Sequence, residues 1–206
     1  LIFKEFYANY GNGAGPDKLR GSCGMTQIDV HMLVLGSERE DWKAKALASI
    51  PTDLCRIHVI DGIRGDLGRS RVNGYRRGDH DLVSFVDPDD WIEAGTFERC
   101  FDFLTHHPAR GVVTQELVYD YFRGEVYRTA HKHGLTVYRR QWIEGFYPKL
   151  ESGAIKTDVQ ISVRPEIVQM PFVGRHWRKH VSECFQMRRE AQGMPRAVAV
   201  IKPEWD

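Results

Sequence analysis

The sequence predicts an α/β fold, a mainly parallel sheet with helices on both faces, and three observations carry that prediction. Short apolar, β-branched runs recur at residues 28–35, 55–60, 82–86 and 111–114. Between them lie segments with helical spacing: Trp42, Ala46, Leu47 and Ile50, then a basic stretch at 69–77, then Phe97, Cys100, Phe101 and Leu104. Two aspartates, Asp61 and Asp87, fall at the ends of the second and third runs, the edge at which such sheets take ligands.

Each element has a local reason. The run at 28–35 has the composition of a buried strand, and Gly36-Ser37 ends it. The helix at 41–50 stops at Pro51, which has no amide hydrogen to continue the ladder. The strand at 55–60 ends at Asp61-Gly62, and a glycine-rich loop leads into the basic helix. The strand at 82–86 runs directly into Asp87, and the helix containing Phe97 closes at Pro108. Beyond residue 115 the alternation is less regular. Residues 117–122 and 126–130, divided by Arg123-Gly124-Glu125, read as a hairpin. Residues 135–139 read as a strand entering a short helix at 140–146, residues 159–163 and 167–173 as two further strands around Pro165, and residues 181–191 as a last helix.

Composition narrows the function classes. With 206 residues and 42% hydrophobic content the chain builds one well-buried core. Its 29 basic and 28 acidic residues leave a net charge of +1, which excludes a bulk field directed at nucleic acid or membrane. No apolar run approaches the roughly 20 residues that cross a bilayer, and a soluble, cytoplasmic protein is expected. Four scattered cysteines without a C-x-x-C pair argue for reduced thiols over a zinc knuckle or a disulfide scaffold. Residues 1–24, aromatic and then glycine-rich, read as an N-terminal extension or leader, and residues 25–206 as a single domain.

The most telling feature is the turn Asp87-Pro88-Asp89-Asp90. Carboxylates this close repel one another, so something positive is expected among them. A hard divalent cation, Mn²⁺ or Mg²⁺, suits oxygen ligands at the mouth of a parallel sheet and commonly bridges to substrate phosphates. The alternative is that Asp87 caps a helix beginning near Glu93, with Asp89 and Asp90 at its positive end.

The string around that turn carries a family resemblance. Gly68-Arg69-Ser70-Arg71-Val72-Asn73-Gly74, then residues 81–91 through Asp87-Pro88-Asp89-Asp90-Trp91, then 97–104, Pro108 and Gly111-Val112-Val113 resemble the donor-binding half of family 2 glycosyltransferases of the GT-A fold. The resemblance spans about residues 28–147 and continues more weakly to about 183. It implies a donor half at about 28–115 and an acceptor half at about 116–195. It also implies a nucleotide-diphosphate-sugar donor, a UDP-sugar in the first instance. Asp61 matches the aspartate that reads the nucleotide base, and Arg71 and Gly74 match the loop facing the diphosphate. Asp87 matches the residue contacting ribose or metal, and Asp89 the metal ligand proper. The chain departs from the family after the first strand, where Leu35-Gly36-Ser37-Glu38 replaces a Pro-Thr/Ser-Tyr-Asn type sequence.

The resemblance places the reaction's base in the second half. Inverting transfer needs a proton acceptor beside the acceptor hydroxyl, opposite the leaving diphosphate. The family supplies it from a Glu-Asp pair, which this chain lacks after the acidic turn. Asp158, in Thr157-Asp158-Val159, is the first candidate and Glu151 the second. Arg178-Lys179-His180-Val181-Ser182 resembles the family's closing motif, so Arg178 is expected at the phosphates and His180 at the metal, with His176 competing for the histidine's role. His106-His107 and His131-Lys132-His133 read as helix-end and loop histidines. The acceptor stays open among saccharide, lipid-linked sugar, protein and modified nucleic-acid base. The alternative functions are a noncatalytic nucleotide-sugar-binding module and a nucleotidyltransferase.

Overall fold

In the computed structural model the described residues are 27–129, 132–155, 159–180, 192–194 and 205. Eight strands form one sheet, in the order β2-β1-β3-β7-β5-β8-β4 with β6 hung on β5. They are β1 (Ile28–Val34), β2 (Cys55–Asp61), β3 (Leu82–Phe85), β4 (Trp91–Ile92), β5 (Gly111–Asp120), β6 (Glu125–Arg128), β7 (Thr136–Arg139) and β8 (Ile167–Lys179). The helices are α1 (Glu40–Ala48), α2 (Leu67–Tyr75), α3 (Thr96–His106), α4 (Arg140–Glu144), α5 (Tyr147–Glu151) and α6 (Val159–Ser162). Strands β2, β1 and β3 are parallel; β7 pairs antiparallel with β3 and β5, and β5 pairs parallel with β8.

Strand alternation divides the core in two. Ile28, Val30 and Met32 of β1 join Ala46, Phe97, Cys100 and Leu104 on the face covered by α1 and α3. Val83 and Phe85 of β3 join Val72, Tyr75, Ile143, Leu150 and Ile161 on the face covered by α2, α4, α5 and α6. Asp29 and His31, the alternate residues of β1, are buried polar groups. Asp29 accepts hydrogen bonds from Arg140 Nη2 (2.7 Å) and the His80 amide (2.8 Å), and lies 2.7 Å from His58 Nε2. This knot ties α4 to the first strand.

Gly74 of α2 lies where the helix comes closest to that strand. A Cβ there would stand 2.4 Å from the His31 ring, which is itself packed between Tyr75 and Phe85. Gly74→Ala is therefore expected to destabilise the domain by about 1–3 kcal/mol through overpacking. Urea denaturation reads this directly, and an unchanged midpoint would show that the helix can back away freely.

Four sequence expectations change in the structure. Residues 159–163 were expected as a strand; Val159–Ser162 is instead a helical turn. The V-Q-I-S pattern suits either state, and tertiary contacts decide: Ile161 is buried, and Ser162 Oγ donates to the Lys132 carbonyl at 2.6 Å. The separate strands at 111–114 and 117–122 are one strand, β5, with a register irregularity at Gln115. The strand beginning at Ile167 runs on to Lys179, because its exposed Pro171 falls in the irregular part of the β5 pairing, where no amide donor is needed. The aspartates of the acidic turn do not cap a helix, since α3 begins at Thr96 behind Gly95, whose φ of 75° marks the start. The helix expected at 181–191 lies outside the described residues.

Candidate active site

Asp87 follows the carboxyl end of β3, where the Val86 amide still donates to the His31 carbonyl of β1 (3.1 Å). The chain then turns, with the Asp90 amide donating to the Asp87 carbonyl at 3.1 Å, and enters β4, which pairs with Arg175 and His176 of β8. That pairing brings the end of β8 against the acidic turn. A cation from α2 meets the turn on one side and a row of cations from β8 meets it on the other.

Arg71 of α2 is buried and stacks its guanidinium on Phe85 (3.6 Å to the ring centre). Its Nη2 donates to Asp87 Oδ1 at 2.6 Å. Burial would raise the Asp87 carboxyl; the charges of Arg71 and Arg175 and the Arg71 hydrogen bond outweigh it and hold the group below the usual range. Asp90 behaves oppositely. Burial and the neighbouring Asp89 charge push it well above the usual carboxylate range, although Arg175 Nε lies 3.7 Å from Oδ2 and the Arg178 amide donates to Oδ1 at 3.1 Å.

Asp89 projects outward and is held by the far end of β8. His180 Nε2 lies 2.7 Å from its Oδ2, and Arg178 Nη1 donates to its carbonyl at 2.8 Å. Arg178 is fully buried between Trp42 of α1 and Trp91 of β4, 4.7 and 4.4 Å from the two ring centres. Its Nε and Nη2 find no hydrogen-bond partner among the described residues. His180 also sets its ring edge-on to Trp42 at 4.8 Å.

Beside Asp87 lies a cavity of about 210 Å³. Arg71, Phe85 and Asp87 line one side, and His133, Ser162, Arg175 and Trp177 are among the residues lining the rest. Sequence reasoning missed Arg175, Glu116 and the position of His133. Arg175 Nη2 donates to Glu116 Oε2 at 2.6 Å, and His133 Nδ1 lies 2.9 Å from Glu116 Oε1. These groups come from β8, β5 and the loop before β7, so no local spacing signals them.

The other expected site residues are placed as follows. Asp61 is exposed at the carboxyl end of β2, opposite Val34. Gly74 faces His31, and that close approach alone accounts for a glycine there. Glu151 pairs with Arg76 at 2.9 Å. His176 is engaged by Glu93 (2.8 Å) and stacked on Trp91 (4.6 Å), and makes no bond to the acidic turn among the described residues. Asp158 lies outside the described residues, next to Val159, which lines the cavity. After the first strand, the departing sequence closes on itself: Glu38 accepts from the Leu35 amide and from the Gly36 amide at 2.8 Å.

Among the described residues, the one group of three ligand-type side chains with atoms within 4.8 Å is Asp29, Asp79 and His80, near the opposite end of β1. Asp29 there is already saturated by Arg140, His58 and the His80 amide. The donor chemistry at the acidic turn suits a divalent cation better. Asp89 offers a partly exposed carboxylate oxygen and His180 an imidazole nitrogen, 2.7 Å apart, and both are atoms that such a cation accepts as ligands.

Solved structures share this architecture. TarS of S. aureus, residues 1–349, in complex with UDP-GlcNAc superposes with a TM-score of 0.54 at 13% identity, over 77% of this chain and 60% of that one. The same protein in complex with UDP gives 0.55 at 12% identity, over 74% and 60%. A longer TarS structure gives 0.54 at 14% identity, over 79% of this chain and 38% of that one. This chain thus spans about 60% or less of the lengths of those proteins. No curated protein sequence matches it. The glycosyl transferase family 2 model matches residues 37–169, a stretch that holds β2, α2, the acidic turn, the cavity-lining His133 and the start of β8. The chain belongs to glycosyl transferase family 2.

Proposed function

We propose that this domain transfers a sugar from a nucleotide-diphosphate donor, a UDP-sugar in the first instance, to an acceptor hydroxyl, with inversion by direct displacement. The observation that carries the reading is the placement of Asp87 and Asp89 at the carboxyl end of β3, the first held by Arg71 and the second by His180, with Asp87 lining a cavity of about 210 Å³. That volume is below the roughly 300 Å³ at which whole-ligand clefts begin. It suits one sugar ring, with the nucleotide lying outside along the strand ends toward Asp61. The donor class rests on family membership and on the UDP and UDP-GlcNAc complexes of TarS.

Each residue then has a physical task. Arg71 neutralises Asp87 and fixes its carboxylate, so that the remaining acceptor oxygen can take a ribose hydroxyl. Arg178, locked between two tryptophans, presents unpaired N–H groups suited to a diphosphate. Asp89 and His180 would hold a Mn²⁺ or Mg²⁺ ion, which when bound supplies positive charge for the leaving diphosphate. Trp42 and Trp91 exclude water and so strengthen those charge interactions. Saccharide, lipid-linked sugar, protein and modified base all remain acceptors of the right chemistry. No helix among the described residues is long and apolar enough to cross a membrane.

Thermal denaturation with UDP, GDP and dTDP, each with and without Mn²⁺, tests the reading. At 100 times its dissociation constant the right nucleotide stabilises by about 2.7 kcal/mol, or about 5–10 °C for a domain of this size. UDP with Mn²⁺ is expected to give the largest rise. If none of the three moves the melting temperature under either condition, the donor assignment fails.

A further inference from the structure

The cavity contains a histidine that the acidic turn does not use. His133 sits in the short loop before β7, and that loop lies tightly on the sheet. A Cβ on Gly134 would stand 2.3 Å from the Thr114 carbonyl, while the Leu135 amide donates to Thr114 Oγ1 at 2.9 Å. The imidazole is thereby fixed over β5, edge-on to Trp177 at 5.2 Å, with a third of its side chain open to the cavity.

Its protonation pattern follows from its neighbours. Glu116 is almost wholly buried, and burial would raise its carboxyl; the His133 hydrogen bond and the Arg175 charge hold it below the ordinary range. An ionised carboxylate only accepts, so the proton between Glu116 Oε1 and His133 Nδ1 belongs to the imidazole. Arg175 Nη2 also approaches Nδ1, at 3.2 Å, but its two hydrogens already go to Glu116 Oε2 (2.6 Å) and the His133 carbonyl (2.9 Å). The neutral ring therefore carries its hydrogen on Nδ1 and its lone pair on Nε2. Nε2 makes no hydrogen bond among the described residues. The charged groups around the ring are Glu116 from β5, Arg175 from β8 and Asp87 from the end of β3; Lys132, next in the loop, spends its amine on the Ile167 carbonyl at 3.1 Å.

We propose that His133 Nε2, oriented by Glu116, is the proton acceptor for the incoming hydroxyl. The proposal rests on the transferase reading above and names the base within it. The acceptor oxygen forms a bond to the anomeric carbon as its proton passes to Nε2. The bond from that carbon to the diphosphate oxygen breaks, and its electron pair leaves with the diphosphate. His133 lines the same cavity as Arg71 and Asp87, together with Trp177 and Ser162, so a hydroxyl entering that cavity meets the imidazole. Glu116 is a positioning residue here. A buried carboxylate below a histidine whose far nitrogen is free is the arrangement by which enzymes fix a basic tautomer.

The test uses His133→Asn, whose amide keeps a donor for Glu116 but offers no base. UDP binding is measured by calorimetry with Mn²⁺, and turnover by release of UDP from UDP-GlcNAc with water as acceptor, across pH. UDP affinity is expected to stay within about twofold while turnover falls about 10²- to 10³-fold, with loss of the limb in which rate rises with pH. Glu116→Gln is expected to lower turnover about tenfold or more and to disturb the same limb. If His133→Asn keeps the wild-type rate and pH profile while Asp158→Asn abolishes turnover, the proposal is overturned. If the wild type binds no nucleotide, the transferase reading fails instead. Should nucleotide bind without turnover in water, ¹⁵N spectra of the imidazoles decide: hydrogen on Nδ1 of His133 is the expected result, and hydrogen on Nε2 overturns it.

Discussion

Asp89→Asn is expected to lower kcat/KM for a UDP-sugar at least about 10³-fold, which is about 4 kcal/mol of transition-state stabilisation. The substitution preserves shape and removes one charge. On the proposed reading that charge would serve the phosphates in two ways, by holding a cation and by keeping His180 in place through their 2.7 Å contact. The fold should hardly notice the change. The Asp89 and His180 side chains are 31% and 19% exposed, and a polar contact that open to solvent contributes about 1 kcal/mol or less. Activity and denaturation midpoint thus separate cleanly. Full turnover by the variant with Mn²⁺ and Mg²⁺ chelated would remove the acidic turn from the mechanism.

The largest stability effect is expected at the other end of the sheet, from Asp29→Ala. The Asp29 side chain is 3% exposed and holds Arg140, His58 and the His80 amide at once. Its removal leaves the Arg140 guanidinium buried with carbonyl partners only, among them those of His80 (2.6 Å) and Tyr75. Breaking such a pair from one side costs about 3–5 kcal/mol, or about 10 °C or more in melting temperature. The pH dependence has a definite sign. Burial opposes ionisation of Asp29, but the bonds from His58 and His80 hold its carboxyl below the ordinary value of 3.8. Its contribution is therefore complete above that value and lost as pH falls through the lower folded one. Urea denaturation of both proteins should show a gap at neutral pH that closes under strongly acidic conditions. A neutral-pH gap under 1 kcal/mol would mean that the knot holds nothing together.

How far the site could be read from the sequence depends on chain separation. Asp87 and Asp89 stand in one turn after one apolar strand, and their position needed only the period of that strand and the glycine-bearing helix before it. Arg71, 16 residues before Asp87, follows from the same local pattern. Glu116, His133 and Arg175 do not, because Glu116 and Arg175 lie 59 residues apart and meet only when β5 pairs with β8. His133 looked like one more loop histidine among nine. Only the descent of Gly134 onto Thr114 turns its ring toward the cavity. Glu151 illustrates the converse: as a carboxylate in the right half it was a reasonable base, yet α5 presents it to Arg76.

The sequence by itself determined the alternating elements of the first half and the acidic turn, since each follows from side-chain period and turn chemistry within about 30 residues; the strand order and the mixed pairing of the sheet came from the tertiary structure. The tertiary structure alone decided that 159–162 is helical, that β8 continues past Pro171, and which cations reach which carboxylates. The physical reason is that hydrophobic period is written along the chain, whereas the partner of a buried charge is chosen by sheet pairing. In this domain the pairings of β8 with β4 and β5 set Arg175, Arg178 and His180 against the turn.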